Sequence, residues 1–264
     1  MVLKMALKKA KILIRKGKKQ YFEDLDRDVT IVKEKQFYIE DLSKDFSTPY
    51  GSMSKANLKK TGTVKSSQDK EFRIFDASFI DNYKRIRRLP QIIPLKDIGY
   101  IIAKTGVGPD SVVVEGGTGS GALVIFLARY CKKVYSYEIE NEHQAIAKEN
   151  VDALGLKNIV LKNKDLCKSI DEKDVDLVCL DLPSPWDAIG PASGALKPGG
   201  FIISYSPTII QTADFVNALL ARDDFVHLKT VEVIEREWEV DKRKVRPKSK
   251  TTMHSGFITL GRKI

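Results

Sequence analysis

Cysteine and histidine are scarce in this chain, with three of each in 264 residues. Cys131, Cys167 and Cys179 are odd in number and widely spaced, and His143, His227 and His254 are as scattered. Neither a disulfide framework nor a CxxC or histidine-based metal site is indicated, so no metal is expected. Long apolar runs are missing as well, none approaching the roughly 20 residues that cross a bilayer. The opening MVLKMALKKAKILIRKGKK threads basic residues through its apolar ones. It therefore lacks the unbroken apolar stretch and small-residue cleavage site of a signal peptide, and a cytoplasmic protein is expected. Negative charge is in deficit: 35 acids stand against 45 lysines and arginines, a net charge of +10. That excess favours a polyanionic partner, because phosphate contacts by Lys and Arg release counterions. The alternative is a lysine-rich surface of the kind that forms ion-pair networks in heat-adapted proteins.

What is present is the composition of a globular protein, 42% hydrophobic and 30% charged, long enough for one large domain and a small one. Residues 1–78 carry short alternating runs such as Lys11-Ile12-Leu13-Ile14, Val29-Thr30-Ile31-Val32 and Phe72-Arg73-Ile74-Phe75, broken by Gly, Asp, Ser and Lys. This predicts a small β-rich domain whose middle, 47–70, is mostly loop. From about residue 79 to 264 the texture changes, and after Lys96 helical and strand patterns alternate as in a parallel sheet with crossover helices. Helices are expected at 97–105, 121–130, 142–154 and 209–221. Strands are expected at 111–115, 134–138, 159–162, 176–181, 201–205, 228–237 and 256–261. The fold class is α/β, a doubly wound Rossmann-like sheet.

The strongest motif is Glu115-Gly116-Gly117-Thr118-Gly119-Ser120-Gly121, between a buried strand and a helix. Glycines at alternate positions let the backbone approach a ligand, with a helix N-terminus beside it. An NAD-binding unit would read GxGxxG and place pyrophosphate there. Here the spacing is GxGxG and an acid ends the strand, which disfavours an anion and suits the cationic sulfonium and amino groups of S-adenosylmethionine. Glu138 ends the next strand, where a carboxylate accepts ribose hydroxyls, and Asp165 follows the third, within reach of an adenine amino group. Singly each is as well read as a solvated loop residue; together they outline a nucleoside site. The fourth strand ends in Asp181-Leu182-Pro183-Ser184-Pro185-Trp186, where two prolines stiffen the turn that carries a carboxylate and an aromatic face. Trp186 is read either as a base-stacking surface or as a plug between helix and sheet. The basic segments 84–88 and 242–250, with Arg88 and Arg246, are candidates for phosphate contacts or for a solvated charge run.

From about Arg88 onward these residues resemble the tRNA (adenine-N1)-methyltransferases that act on the T loop at position 58 and, in archaeal members, 57. The resemblance rests on Arg88-Leu89-Pro90-Gln91-Ile92-Ile93 before Lys96-Asp97, the glycine loop, Ser136-Tyr137-Glu138 and the DLPSPW segment. It continues through Tyr205-Ser206-Pro207-Thr208 with Gln211, Arg236-Glu237-Trp238-Glu239-Val240, Arg246-Pro247 and His254-Ser255-Gly256-Phe257. The glycine loop alone would fit any class I methyltransferase; the last motifs are more specific. The resemblance implies that Glu115, Gly117, Gly119, Glu138 and Asp165 contact the donor, with Thr118, Ser120 and Gly121 in the same loop and Gln91 nearby. It implies Asp181 as the catalytic carboxylate, and it implies a homotetramer. Trp186, Tyr205 and His254 are the candidates for the base pocket, His254 being equally readable as a hydrogen-bonded structural histidine. Two positions depart from the family: Pro94-Leu95 stands where an aromatic or His followed by Pro is usual, and Gly116 where Ala is usual.

The expected reaction is methylation of adenine N1 in tRNA, with the base extruded from its loop. Alternatives from other classes are methylation of a small molecule or protein carboxyl group on the same fold, and an RNA-binding protein without chemistry. An NAD-dependent enzyme is the least favoured.

Overall fold

The computed structural model describes residues 10–89, 91–250 and 254–264. Part of the N-terminal segment read for a leader, residues 1–9, lies outside them, as does Pro90. The described residues group into two compact units, one within 10–86 with 153–155, the other within 87–152 and 156–264.

The first unit is β-rich. Its strands are β1 (Lys11–Arg15), β2 (Lys18–Phe22), β3 (Arg27–Val32), β4 (Lys35–Ile39), β5 (Phe46–Thr48), β6 (Gly51–Met53), β7 (Gly62–Lys65) and β8 (Glu71–Asp76). Two short helices, α1 (Lys55–Leu58) and α2 (Phe79–Tyr83), accompany them. An antiparallel sheet in the order β4-β1-β8-β7 carries the core, while β2 pairs with β3 and β5 with β6. Along β8, Phe72 and Ile74 are buried and Arg73 and Phe75 exposed, the period of two that gives a sheet one dry face. The expectation that 47–70 is mostly loop is corrected: β5, β6, α1 and β7 occupy much of it, and Met53, Leu58 and Val64 enter the core. Elements of three or four residues are too short to display a period.

The second unit is the doubly wound sheet. Its elements are α3 (Leu95–Thr105), β9 (Val112–Gly116), α4 (Ala122–Tyr130), β10 (Lys133–Tyr137), α5 (Asn141–Ala153), β11 (Ile159–Lys162) and β12 (Val175–Leu180). They continue as α6 (Ile189–Ala195), β13 (Leu196–Ser206), α7 (Ile209–Leu220), β14 (Phe225–Glu232), β15 (Trp238–Asp241), β16 (Lys244–Pro247) and β17 (Phe257–Lys263). The order β11-β10-β9-β12-β13-β17-β14 reverses at β9, and β17 runs antiparallel to both neighbours. Val113, Val114, Leu177 and Val178 have no exposed surface, as central strands covered on both faces require. Gly106 ends α3 in the left-handed conformation, its N–H closing on the Ile102 carbonyl. One strand reading is corrected: 228–237 is β14 ending at Glu232, and the charged stretch beyond it folds as the hairpin β15–β16. Charge on a two-stranded ribbon with no buried face hides the alternation that would announce it.

Candidate active site

The loops that follow β9, β10, β11 and β12 all leave the sheet at one edge, beside the point where strand order reverses, the usual ligand crevice of an open α/β sheet. Glu115 stands at the end of β9 with 1% of its surface exposed. Its partner in register on β10 is Ser136, whose hydroxyl donates to Glu115 Oε2 at 2.5 Å and lies 2.6 Å from Thr118 Oγ1. The loops after β9 and β12 are also stitched together, Asp181 N–H donating to the Gly116 carbonyl at 2.9 Å. Gly117 has φ of 89°, and a Cβ there would lie 2.0 Å from the Asp181 carbonyl oxygen. No other residue fits that crossing. Gly116 tolerates more, since its Cβ would meet the Leu166 Cδ1 methyl at 2.9 Å.

Glu138, just past β10, is held by three backbone N–H groups: Gly119 at 2.9 Å on Oε2, Ile139 at 2.9 Å and Glu140 at 3.0 Å on Oε1. Asp165, past β11, accepts from Cys167 N–H at 3.0 Å. A cavity of about 220 Å³ is lined by Gly117, Glu138, Asp165, Leu166, Cys167 and Leu182, among others. A smaller cleft is lined by Gln91, Glu115, Gly117, Thr118, Gly119 and Asp181, among others, so the two meet at Gly117. Ser120 also lines the smaller cleft, although its hydroxyl is engaged by the N–H of Leu89. Gly121 caps α4.

No ion pair to Glu115 or Asp181 forms among the described residues. Burial therefore pushes Glu115 up to about 8, offset in part by the Ser136 hydrogen bond and reinforced by Asp181 and Glu138. Burial, then the charge of Glu138, pushes Asp181 up to about 7. The smaller cleft, in which neither Glu115 nor Asp181 has a cation, selects a cationic ligand, whose charge restores the ionised forms.

The remaining candidates stand elsewhere, and neither cavity is lined by Trp186, Tyr205, His254, Arg88 or Arg246. Trp186 is half-buried against the hydrophobic core. Tyr205 is buried, its hydroxyl donating to Asp97 at 3.2 Å, and Asp97 is bound in turn by Lys96 and Ser255. His254 touches Glu232 and the Pro207 carbonyl. Arg88 is exposed. Arg246 donates to Glu239 at 3.0 Å across the hairpin. Pro94 is the N-cap of α3 and Leu95 its first residue.

Sequence reasoning assigned no role to three supporting residues, Ser136 and Gln211 having entered only as parts of the family motifs. Ser136 orients Glu115, as described. Asn150 on α5 holds the segment before Gln91, accepting from Arg87 N–H and donating to the Arg87 and Ser120 carbonyls, each at 2.8 Å. Gln211 on α7 donates to the Pro183 carbonyl at 3.0 Å. An extra Ser, Asn or Gln carries no signal until register and packing supply its partner.

Residues 85–259 match the family described as tRNA methyltransferase complex GCD14 subunit. A relative in Methanocaldococcus jannaschii, the tRNA (adenine(57)-N(1)/adenine(58)-N(1))-methyltransferase TrmI, is 34% identical over 82% of this chain and 87% of its own. The tRNA (adenine(58)-N(1))-methyltransferase TrmI of Thermus thermophilus is 32% identical over 75% of this chain and 79% of its own. Among solved structures, a SAM-dependent O-methyltransferase from Thermotoga maritima superposes with a TM-score of 0.81 at 26% identity, over 100% of this chain and 96% of that one. The tRNA (m1A58) methyltransferase TrmI of Aquifex aeolicus, at 23% identity and 96% coverage of both chains, gives 0.77 and shares the fold. The acid-ringed cleft at the β9 switch point thus sits on a class I methyltransferase sheet, and the chain belongs to the GCD14 tRNA methyltransferase family.

Proposed function

We propose that this chain transfers a methyl group from S-adenosylmethionine to N1 of an adenine in the T loop of tRNA, at position 58 and in reach of 57. The observation that carries the reading is the set of acids around the two joined cavities, Glu115 and Asp181 in the smaller and Glu138 and Asp165 in the larger. The residues fit that donor: a cationic end suits the unpaired acids, a nucleoside suits the larger cavity, and Gly117 keeps the junction clear. Bound there, S-adenosylmethionine supplies an electrophilic methyl carbon. Glu138 offers the acceptor capacity left after its three backbone bonds to the ribose hydroxyls, Asp165 lies toward the adenine end, and Gln91 closes the cleft beside Glu115.

Adenine N1 has a free lone pair at neutral pH and needs no base to activate it. Catalysis rests on alignment and on charge developing in the ring. Asp181 accepts a hydrogen bond from the adenine amino group, and this bond strengthens as positive charge spreads into the base, so it favours the transition state over the ground state. Extruding the base costs a few kcal/mol, drawn from contacts to the rest of the tRNA. Arg88 and its basic neighbours in 84–88 contribute phosphate contacts. We further propose that residues 1–78 and 79–264 are two domains, the second catalytic, that the protein is a homotetramer, and that it works in the cytoplasm. No helix among the described residues is long and apolar enough to cross a membrane.

The test is methyl transfer from labelled S-adenosylmethionine to an unmodified tRNA transcript, with the product located by nuclease digestion and mass spectrometry. N1-methyladenine in the T loop supports the reading. Donor binding without methylated tRNA would redirect it to a small-molecule or protein acceptor, which the same fold also serves. Light scattering tests the tetramer.

A further inference from the structure

A chain of hydrogen bonds runs from the end of β14 to the loop after β12, and the reaction described above makes no use of it. It begins at His254. Nδ1 lies 2.5 Å from Glu232 Oε1, and Nε2 lies 2.9 Å from the Pro207 carbonyl oxygen. A carbonyl oxygen and an ionised carboxylate can only accept. Both ring nitrogens must therefore donate, which the imidazolium does and neither neutral tautomer can. Pro207 leads into Thr208, the N-cap of α7. The Thr208 hydroxyl accepts from Gln211 N–H at 3.2 Å and donates to Gln211 Oε1 at 2.8 Å, so the amide orientation is set. Gln211 Nε2 then donates to the Pro183 carbonyl at 3.0 Å. Pro183 is two residues beyond Asp181, in a turn where Pro183 and Pro185 have no N–H with which to anchor themselves.

We propose that His254, as an imidazolium, is a positioning residue: it braces 207–208, through which Gln211 holds the Pro183 carbonyl and fixes Asp181 at the cleft. This rests on the reading that Asp181 acts on the acceptor base. It also reassigns His254, whose two polar atoms are taken up by protein acceptors and so are not free to touch a base. The groups facing the ring are Glu232 from β14, which favours its charge, and Lys96 from α3, which opposes it; from β17 the Phe257 ring lies tilted by 48° against it, centroids 4.9 Å apart. The Pro207 and Glu232 contacts outweigh the rest and hold the imidazole above its usual 6.5. The brace is therefore complete below that value and opens as pH climbs through the raised one.

The chain has two tryptophans, and Trp186 lies three residues beyond Pro183 while Trp238 is exposed on the hairpin. Trp238→Phe leaves Trp186 as the sole reporter on the braced loop. In that parent, acrylamide quenching of Trp186 is expected to rise with pH across the His254 titration. His254→Asn and Gln211→Met should give the high value at every pH, with kcat lowered roughly tenfold and KM for S-adenosylmethionine within about twofold. Glu232→Gln keeps an acceptor but removes the charge, so it should retain the low-pH plateau and move the transition to lower pH. Identical Trp186 quenching in parent and His254→Asn below the transition, or an alkaline transition unmoved by Glu232→Gln, would overturn the brace. If the parent methylates no tRNA, the proposed acceptor fails, while the quenching measurements still decide the brace.

Discussion

Glutamates occupy two contrasting places in this molecule. At the carboxyl end of β9, Glu115 is buried beside Asp181 with no cation, and its carboxyl is pushed up to about 8. On the hairpin β15–β16, Glu239 is met by Lys244 at 2.6 Å and Arg246 at 3.0 Å, Glu237 pairs with Lys248, and both acids are held below their usual range. The hairpin charges face water and already have partners, so they contribute little to folding and hold little in reserve for a ligand. The cleft acids are in the opposite state: desolvated, mutually repelling, and relieved only by a cation that arrives. Chemistry belongs where charge is unsatisfied. By the same reasoning the basic run 242–250 offers RNA fewer free cations than its composition implies.

The comparison can be broken most forcefully at Asp181. Asp181→Ala should lower kcat about 10²–10³-fold, as loss of a group aimed at developing charge does, while calorimetry shows donor binding within a few-fold of wild type. A mutant that loses donor binding instead would place Asp181 with Glu115 as a donor ligand. Gly117→Ala forces a Cβ against the Asp181 carbonyl at a left-handed φ, and unfolding should show a loss of at least about 2 kcal/mol together with loss of the cleft. An unchanged melting curve would mean that the two loops separate easily.

Glu115 sharpens the contrast through pH. Its folded-state value, about 8, lies above the unfolded value near 4.5. The native state thus binds the extra proton, and the associated stability is present below pH 4.5 and lost as pH rises through 8. Denaturation of the unliganded protein should show a decline on the order of a few kcal/mol across that window, which Glu115→Gln reduces to the part that Asp181 contributes below about 7, while weakening donor binding. A pH-independent wild type would remove the argument for an unsatisfied acid. Gly116→Ala, restoring the residue usual in the family, should cost about 1 kcal/mol as the Leu166 methyl gives way. At the hairpin, Lys244→Gln with Arg246→Gln should leave the melting temperature unchanged and reduce the salt slope of tRNA binding by less than about 1. A larger drop would make these cations principal phosphate contacts despite Glu239.

The parts of the site legible in the sequence are those whose signal is local. The GxGxG spacing after an apolar run, acids at or within three residues of successive strand ends, and Asp181 ahead of its two prolines each announce themselves within about seven residues. The strands expected at 111–115, 134–138 and 176–181 lie within a residue of β9, β10 and β12. The short strands of 47–70 and the hairpin were illegible because three- and four-residue elements, or a ribbon without a dry face, show no period. The supports of the site were illegible for another reason: Ser136 meets Glu115 only through strand register, and Asn150 reaches Arg87 across 63 positions.

Hydrophobic periodicity, glycine spacing and the placement of acids were enough, in the sequence alone, to determine the doubly wound class, the glycine loop after its first strand and which carboxylates stand at strand ends, because each depends on neighbours a few bonds away. Only the tertiary structure decided which of those carboxylates lie buried without a cation, which basic residues are already paired, and that both nitrogens of His254 face acceptors. Burial and pairing are set by segments distant in the chain, and an ionisable group's behaviour follows its solvent and its neighbours rather than its identity.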